Sequence, residues 1–197
     1  MVYGDRFFVA AALGTAEMLY YAIPQEGLQR LLLIPGAFAT ALLPRLTAAP
    51  TSTAAYLLSQ RGLGQVARVM SFACISSALL AFPLLTIWIG PGFAHTALPV
   101  TLVLIAGLWI NSVAQVPFAL LHARGHPYAT GLFHIVELIV YLALVNLLTR
   151  SFGLIGAGIA WSARVTLDLL LLWAAVRVLI SRRMDEEPAA AEADVRA

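Results

Sequence analysis

Residues 69–123 read VMSFACISSALLAFPLLTIWIGPGFAHTALPVTLVLIAGLWINSVAQVPFALLHA, with no Asp, Glu, Lys or Arg among them. A helix needs about 20 apolar residues to cross the roughly 30 Å hydrocarbon core of a bilayer. The uncharged stretch is therefore long enough for two crossings. Its Gly/Pro-rich residues 90–95 predict the turn between them, and the expected membrane-spanning helices are 66–89 and 97–121.

The composition of the whole chain indicates the same class of protein. Hydrophobic residues make up 61% of the 197 residues and charged residues only 11%, and the mean hydropathy is +0.87. Soluble domains carry about 25% charged residues, because their surfaces have to be solvated. We therefore predict an integral membrane protein whose outer surface faces membrane lipids. The formal charge of +2 gives no reason to expect a nucleic-acid partner.

Apolar runs and helix breakers extend this pattern to the rest of the chain. We predict an all-α membrane domain over residues 1–181, a bundle of six helices whose first helix is truncated. The expected helices are 3–13, 16–43, 66–89, 97–121, 128–149 and 154–180. Loops are expected at 44–65 and 122–127. The polar tail, residues 182–197, is expected to be disordered, because it has too little apolar surface to bury.

The arginines predict the orientation of these helices. They concentrate near the 44–65 loop, in the 122–127 loop and at the C-terminal end, whereas the alternate turns contain only Arg150. Cytoplasmic loops of membrane proteins carry the excess of basic residues. We therefore expect both loops and the C-terminus to be cytoplasmic, in a multi-pass protein of the cytoplasmic membrane.

Ionisable residues inside the apolar segments are the candidate functional groups, because such groups are costly in lipid and usually serve a function. They are Asp5, Arg6, Glu17, Glu26, Arg30, Glu137, Arg164 and Asp168. The i,i+4 spacing predicts an ion pair between Glu26 and Arg30 and another between Arg164 and Asp168. Either pair can be a structural link between helices or part of a functional site.

The surroundings of two candidates add detail to this interpretation. Pro24 and Gly27 are expected to break the helix beside Glu26, and a broken helix at membrane depth is tolerated only inside protein or along a water-filled cavity. Glu137 has His134 one turn earlier. That glutamate is therefore protonated, paired elsewhere or part of a proton relay.

Motifs that would indicate an enzyme are missing from the sequence. It contains no CxxC, HExxH, P-loop or GxSxG pattern, and its histidines lack the spacing of metal ligands. The single cysteine, Cys74, lies in an apolar run and is expected to be buried. We therefore predict no catalytic residue, no cofactor and no metal site.

Several segments together carry a family resemblance. They are Asp5-Arg6, the run from Tyr20 through Pro24, Glu26, Arg30 and Pro35-Gly36 to Pro44, and the short runs 90–94, 121–125 and 152–158. In this order they resemble helices seven to twelve of the polysaccharide flippases, part of the multidrug/oligosaccharidyl-lipid/polysaccharide exporter superfamily. The resemblance covers residues 3–180. It implies a C-terminal lobe whose N-terminal lobe is missing or separately encoded.

The resemblance also implies a function. Flippases of this family move lipid-linked oligosaccharide, a polyprenyl diphosphate sugar, across the cytoplasmic membrane by alternating access between two lobes. Arg6 and Arg30 are then the expected diphosphate contacts, since Arg binds phosphate bidentately, and Asp5 and Glu26 are expected to hold them in place. The expected sugar contacts are Tyr20, Tyr21, Gln25 and Gln29.

Two alternatives stay open at this point. A cation-coupled drug exporter of the same superfamily would favour an acidic, aromatic pocket. A membrane assembly subunit without transport activity would use the ionic pairs only to join helices. Because the chain encodes one lobe, we expect it not to transport by itself unless two copies form a dimer.

Overall fold

The structure is a computed structural model that describes residues 4–180, with side chains from Arg6 onward. The predicted tail 182–197 and the side chain of Asp5 lie outside the described part. Every regular element within that part is helical. The elements are α1 (Gly4–Leu13), α2 (Thr15–Gln29), a 3₁₀ turn (Arg30–Leu32), α3 (Leu33–Thr47), α4 (Ser52–Trp88), α5 (Pro91–Ala123), α6 (Pro127–Ala175) and a π-helical turn (Val176–Ile180).

Four helical segments within residues 4–180 are long and apolar enough to cross a membrane. They are Thr15–Thr47, Ser52–Trp88, Pro91–Ala123 and Pro127–Ile180. The prediction of an all-helical integral membrane protein is confirmed to this extent. Burial identifies α5 as the central helix, since 56% of its most apolar window is buried, against 22% or less for the other three segments. Helices α2, α3, α4 and α6 all pack against α5.

The expected helix break at Pro24 and Gly27 is not present. Helix α2 continues past both residues, and the backbone departs from α-helical geometry only in the 3₁₀ turn Arg30–Leu32. Pro35 explains the position of this turn. Its ring crowds the carbonyl group four residues earlier, that of Leu31, and removes the hydrogen bond that this carbonyl would accept. A tighter 3₁₀ turn is the usual local response.

The predicted loop at 44–65 is also wrong. Helix α3 continues to Thr47 and α4 already begins at Ser52. The side chain of Thr51 caps α4 by accepting a 3.0 Å hydrogen bond from the backbone N–H of Ala54. Such a cap satisfies one of the free N–H groups at a helix start. The polar residues that follow Thr51 therefore form the first turns of α4, which is less apolar at its N-terminal end than further along.

The predicted turn at 90–95 is shorter in the structure, because α5 starts at Pro91. Proline is favoured in the first position of a helix, where its fixed φ suits the helix and its missing N–H costs nothing. Gly90, with a φ of 134°, makes the turn by adopting a backbone conformation that L side chains rarely take.

Helix α6 is a hairpin of two helices that meet at Gly153. This residue has φ 58° and ψ −137°, outside the helical range. The two halves, residues 127–152 and 154–175, approach each other closely beside the turn. A Cβ atom on Gly156 would collide with the backbone carbonyl of Leu148. Glycine at 156 is therefore required for the close return of the second half.

Candidate functional site

Arg6 and Glu26 form an ion pair that connects α1 to α2. The Arg6 Nη2 and Glu26 Oε2 atoms are 3.3 Å apart, and the two side chains are 21% and 55% exposed. The predicted pair between Glu26 and Arg30 is not formed. The i,i+4 spacing allows that contact, but α1 packs beside α2 and brings Arg6 to the carboxylate instead.

Arg30 lies one helical turn after Glu26, at the start of the 3₁₀ turn, and is exposed. Within residues 6–180 its side chain makes no hydrogen bond or ion pair. We call Arg6, Glu26 and Arg30 the arginine strip. Two arginines and one glutamate give the strip a formal charge of +1. Glu26 and Arg30 lie on a helical segment that is apolar enough to span a membrane, and Arg6 reaches it from α1.

The four predicted sugar contacts lie in different environments. Tyr21 and Gln25 are buried, and the Gln25 side-chain amide donates a 2.8 Å hydrogen bond to the Tyr21 hydroxyl. The ring of Tyr20 stacks on that of Phe93 in α5, with centroids 4.8 Å apart. Gln29 is half-buried, one position before Arg30. Tyr20 and Gln29 are thus the two that are partly exposed.

A second group of charged residues lies inside the α6 hairpin. The Glu137 side chain is fully buried, and its Oε2 atom is 3.2 Å from Nη1 of Arg164 in the opposite half of the hairpin. The Nδ1 atom of His134 is 3.5 Å from Oε1 of Glu137. The guanidinium of Arg164 also lies 5.8 Å from the ring centroid of Tyr141. We call Glu137, Arg164, His134 and Asp168 the buried cluster, after the buried Glu137 at its centre, although the His134 side chain is 47% exposed.

The predicted ion pair between Arg164 and Asp168 is therefore replaced by one between Arg164 and Glu137. Pairing elsewhere in the chain, one of the three possibilities given for Glu137, is thus present as the contact with Arg164. The sequence contained part of the signal for this partner. Glu137 precedes the turn at Gly153 and Arg164 follows it, so a hairpin brings the two apolar segments that carry them side by side.

The buried cluster also contains a set of possible metal ligands. One donor atom each from His134, Glu137 and Asp168 lie within 4.8 Å of one another. The guanidinium of Arg164 already supplies a positive charge beside Glu137. A metal ion there would be repelled by that charge, so we assign the cluster to the connection between the two halves of α6.

Comparisons with known proteins add one finding to this geometry. A protein of Shigella flexneri described as "Putative O-antigen transporter" is 33% identical to this chain over 176 residues. The match covers 87% of this chain and 41% of that protein, so the chain spans less than half the length of its relative. No family model matches the chain. No solved structure matches it either.

Proposed function

We propose, on the premise that this chain is related to the O-antigen and polysaccharide flippase-type family, that it forms the C-terminal half of a transporter for lipid-linked oligosaccharide. The relative described as an O-antigen transporter supports the family resemblance inferred from the sequence. In our proposal the whole transporter moves the polyprenyl diphosphate sugar across the cytoplasmic membrane. Transport of this kind breaks no covalent bond, and we propose no enzymatic step.

The arginine strip is the observation that carries the proposal. A charged side chain within a membrane-spanning segment normally pairs with another charge or faces a water-filled cavity. Glu26 neutralises Arg6, whereas Arg30 has no anionic partner in the part of the chain that the structure describes. We propose that the diphosphate of the substrate is this partner, since Arg forms bidentate hydrogen bonds with phosphate oxygens.

The other residues around the strip have supporting roles in this proposal. Glu26 holds Arg6 in position, and we propose the same for Asp5, which precedes Arg6. Tyr20 and Gln29 are our candidates for sugar contacts. We assign Tyr21 and Gln25 to the packing of α2, because their polar groups bond to each other in the interior.

The cavity for the sugar head group requires a second body. In alternating access, two lobes rock against each other around a site near the membrane midplane, which opens to one side at a time. Polar and cationic side chains along the site replace the water around the head group while the lipid tail stays in hydrocarbon. We propose that residues 1–181 are one lobe, a bundle of six helices, and that an N-terminal lobe is its partner.

Complementation tests this proposal. In a strain that lacks its polysaccharide flippase, residues 1–197 alone are expected to restore no surface polysaccharide. Co-expression with a matching six-helix N-terminal lobe is expected to restore it. If neither combination works although both pieces are present in the membrane, the transport proposal is wrong. Rescue by this chain alone, with crosslinks between copies at position 26 or 30, would instead favour a homodimer.

The proposed orientation is tested by cysteine labelling in a Cys74→Ser background. Thr53 lies next to the start of α4 and is exposed, and Ser151 is exposed beside the hairpin turn. We expect a cysteine at 53 to react with a membrane-impermeant maleimide only after the cells are permeabilised, because arginines mark this end as cytoplasmic. A cysteine at 151 is the control that reacts in intact cells. Labelling at 53 in intact cells contradicts the orientation.

A further inference from the structure

An apolar cavity of about 410 Å³ lies between α2 and α4, with α5 as its floor. Residues from all three helices and from the 3₁₀ turn line it, among them Gly27, Leu28, Leu31, Leu84, Trp88 and Ile105. Its volume falls within the range of roughly 300–1,000 Å³ that is typical of ligand sites.

The cavity exists because of the path of the helical segment Thr15–Thr47, which consists of α2, the 3₁₀ turn and α3. Helix α3 packs directly against α4, whereas α2, before the 3₁₀ turn, packs against α5 and α1. The cavity is the gap that remains between α2 and α4. Gly27 contributes to it, because a Cβ atom at this position would meet no other atom within 4 Å.

Arg30 of the arginine strip adjoins this cavity on the same helical segment. Ile23 and Gly27 line the cavity, and Arg30 follows them at the i+7 and i+3 positions, which lie on the same side of a helix. Leu31, the next residue, also lines the cavity. An apolar space beside an exposed cation that has no anionic partner within residues 6–180 suits a ligand that joins a hydrocarbon chain to an anionic group.

We propose that this cavity binds the isoprenoid tail of the lipid-linked substrate, in the part nearest the diphosphate on Arg30. The inference rests on the proposed function, which supplies a substrate of this chemistry. It adds a site that determines which lipid carrier is accepted. In this arrangement the isoprenoid tail lies in the cavity between α2 and α4, and the diphosphate head group lies along the arginine strip.

A photoreactive probe tests the proposal in membrane vesicles that contain the chain. The probe is polyprenyl diphosphate with a diazirine in the isoprene units next to the diphosphate, and mass spectrometry maps the labelled residues. We expect labelling on α2 and α4 at residues lining the cavity, competed by unlabelled polyprenyl diphosphate. Equal labelling of the same residues by a phospholipid with a diazirine, without such competition, would show that ordinary lipid fills the cavity and would overturn the proposal.

A variant whose new side chain fills the cavity, compared with a matched variant outside it, tests the site a second time. In Gly27→Phe the new ring enters the cavity, and the site labelling is expected to fall roughly tenfold to a hundredfold, the effect of displacing one or two buried apolar groups. Gly36→Phe is the control. Its added Cβ is equally free of contacts, and this position does not line the cavity. Unchanged labelling in Gly27→Phe, at normal protein amounts, contradicts the site.

The same experiment separates the two proposals. If polyprenyl diphosphate labels the chain elsewhere and competes there, only the cavity assignment fails. If it labels the chain nowhere in vesicles, including vesicles that also contain the N-terminal lobe, the substrate assignment of the proposed function fails with it.

Discussion

Replacing Arg164 by alanine is expected to remove most of the folded protein from the membrane. Its guanidinium lies 3.2 Å from the carboxylate of Glu137, which is fully buried. Removing one partner of a buried ion pair costs about 3–5 kcal/mol, because the other charge is left without compensation. Such a loss is a large part of a total stability of about 5–15 kcal/mol. Fluorescence-detected size-exclusion chromatography of detergent extracts measures the folded fraction.

Two further variants show whether the ion pair is the cause. Glu137→Gln combined with Arg164→Ala removes both charges, so we expect it to recover much of the folded protein that the single variant loses. Arg150→Ala is the matched control, since Arg150 is an exposed arginine of the same hairpin and its loss should change little. If Arg150→Ala and Arg164→Ala reduce the protein equally, the buried cluster does not stabilise the hairpin in the way proposed here.

Arg30→Ala is expected to abolish transport with little loss of protein. The side chain is exposed and makes no bond that its removal would break within residues 6–180. A hydrogen bond to a charged group contributes about 1.5–3 kcal/mol, so its loss weakens diphosphate binding roughly tenfold to a hundredfold. Surface polysaccharide is measured in the complemented strain with both lobes present, and the amount of protein by immunoblotting.

Other substitutions make the Arg30 test specific. Arg30→Lys keeps the positive charge but loses the bidentate geometry, so we expect an intermediate activity. Arg45→Ala is the control, because Arg45 is exposed near the end of the same helical segment. Normal transport by Arg30→Ala would show that the diphosphate assignment is wrong. A loss of protein like that of Arg164→Ala would mean that the two sites cannot be divided into a functional and a structural one.

The membrane class of the protein was predictable from the sequence because it depends on composition over long windows. The uncharged residues 69–123 cannot be solvated as a soluble surface, whatever the details of packing. The ends of the helices were less predictable. Residues 52–65 are helical in the structure, although a loop was expected at 44–65. Hydropathy identifies the residues that can lie in the hydrocarbon core of the membrane. It does not locate the ends of a helix, because the helix can continue into the polar residues on either side.

The partners of the charged residues were harder to predict than the residues themselves. The i,i+4 rule compares neighbours on one helix and contributes only about 0.2–0.5 kcal/mol. Glu26 and Arg164 both find partners on another helix instead. Such partners depend on how helices turn and pack, which short-range spacing does not contain. The apolar cavity was not predicted for the same reason, since it is a gap between α2 and α4.

Glu137 and Arg164 are 27 residues apart in the chain, so they leave the ribosome at different times. An acidic or basic residue at the centre of a single helix opposes insertion into the membrane by about 2.5–3.5 kcal/mol. The first half of α6 therefore carries an acidic side chain without its partner until the second half has been synthesised. The tight return at Gly153 and Gly156 then allows both charges to enter together as a neutral pair. We therefore expect membrane integration of this region to depend on cooperation between two consecutive segments during biogenesis.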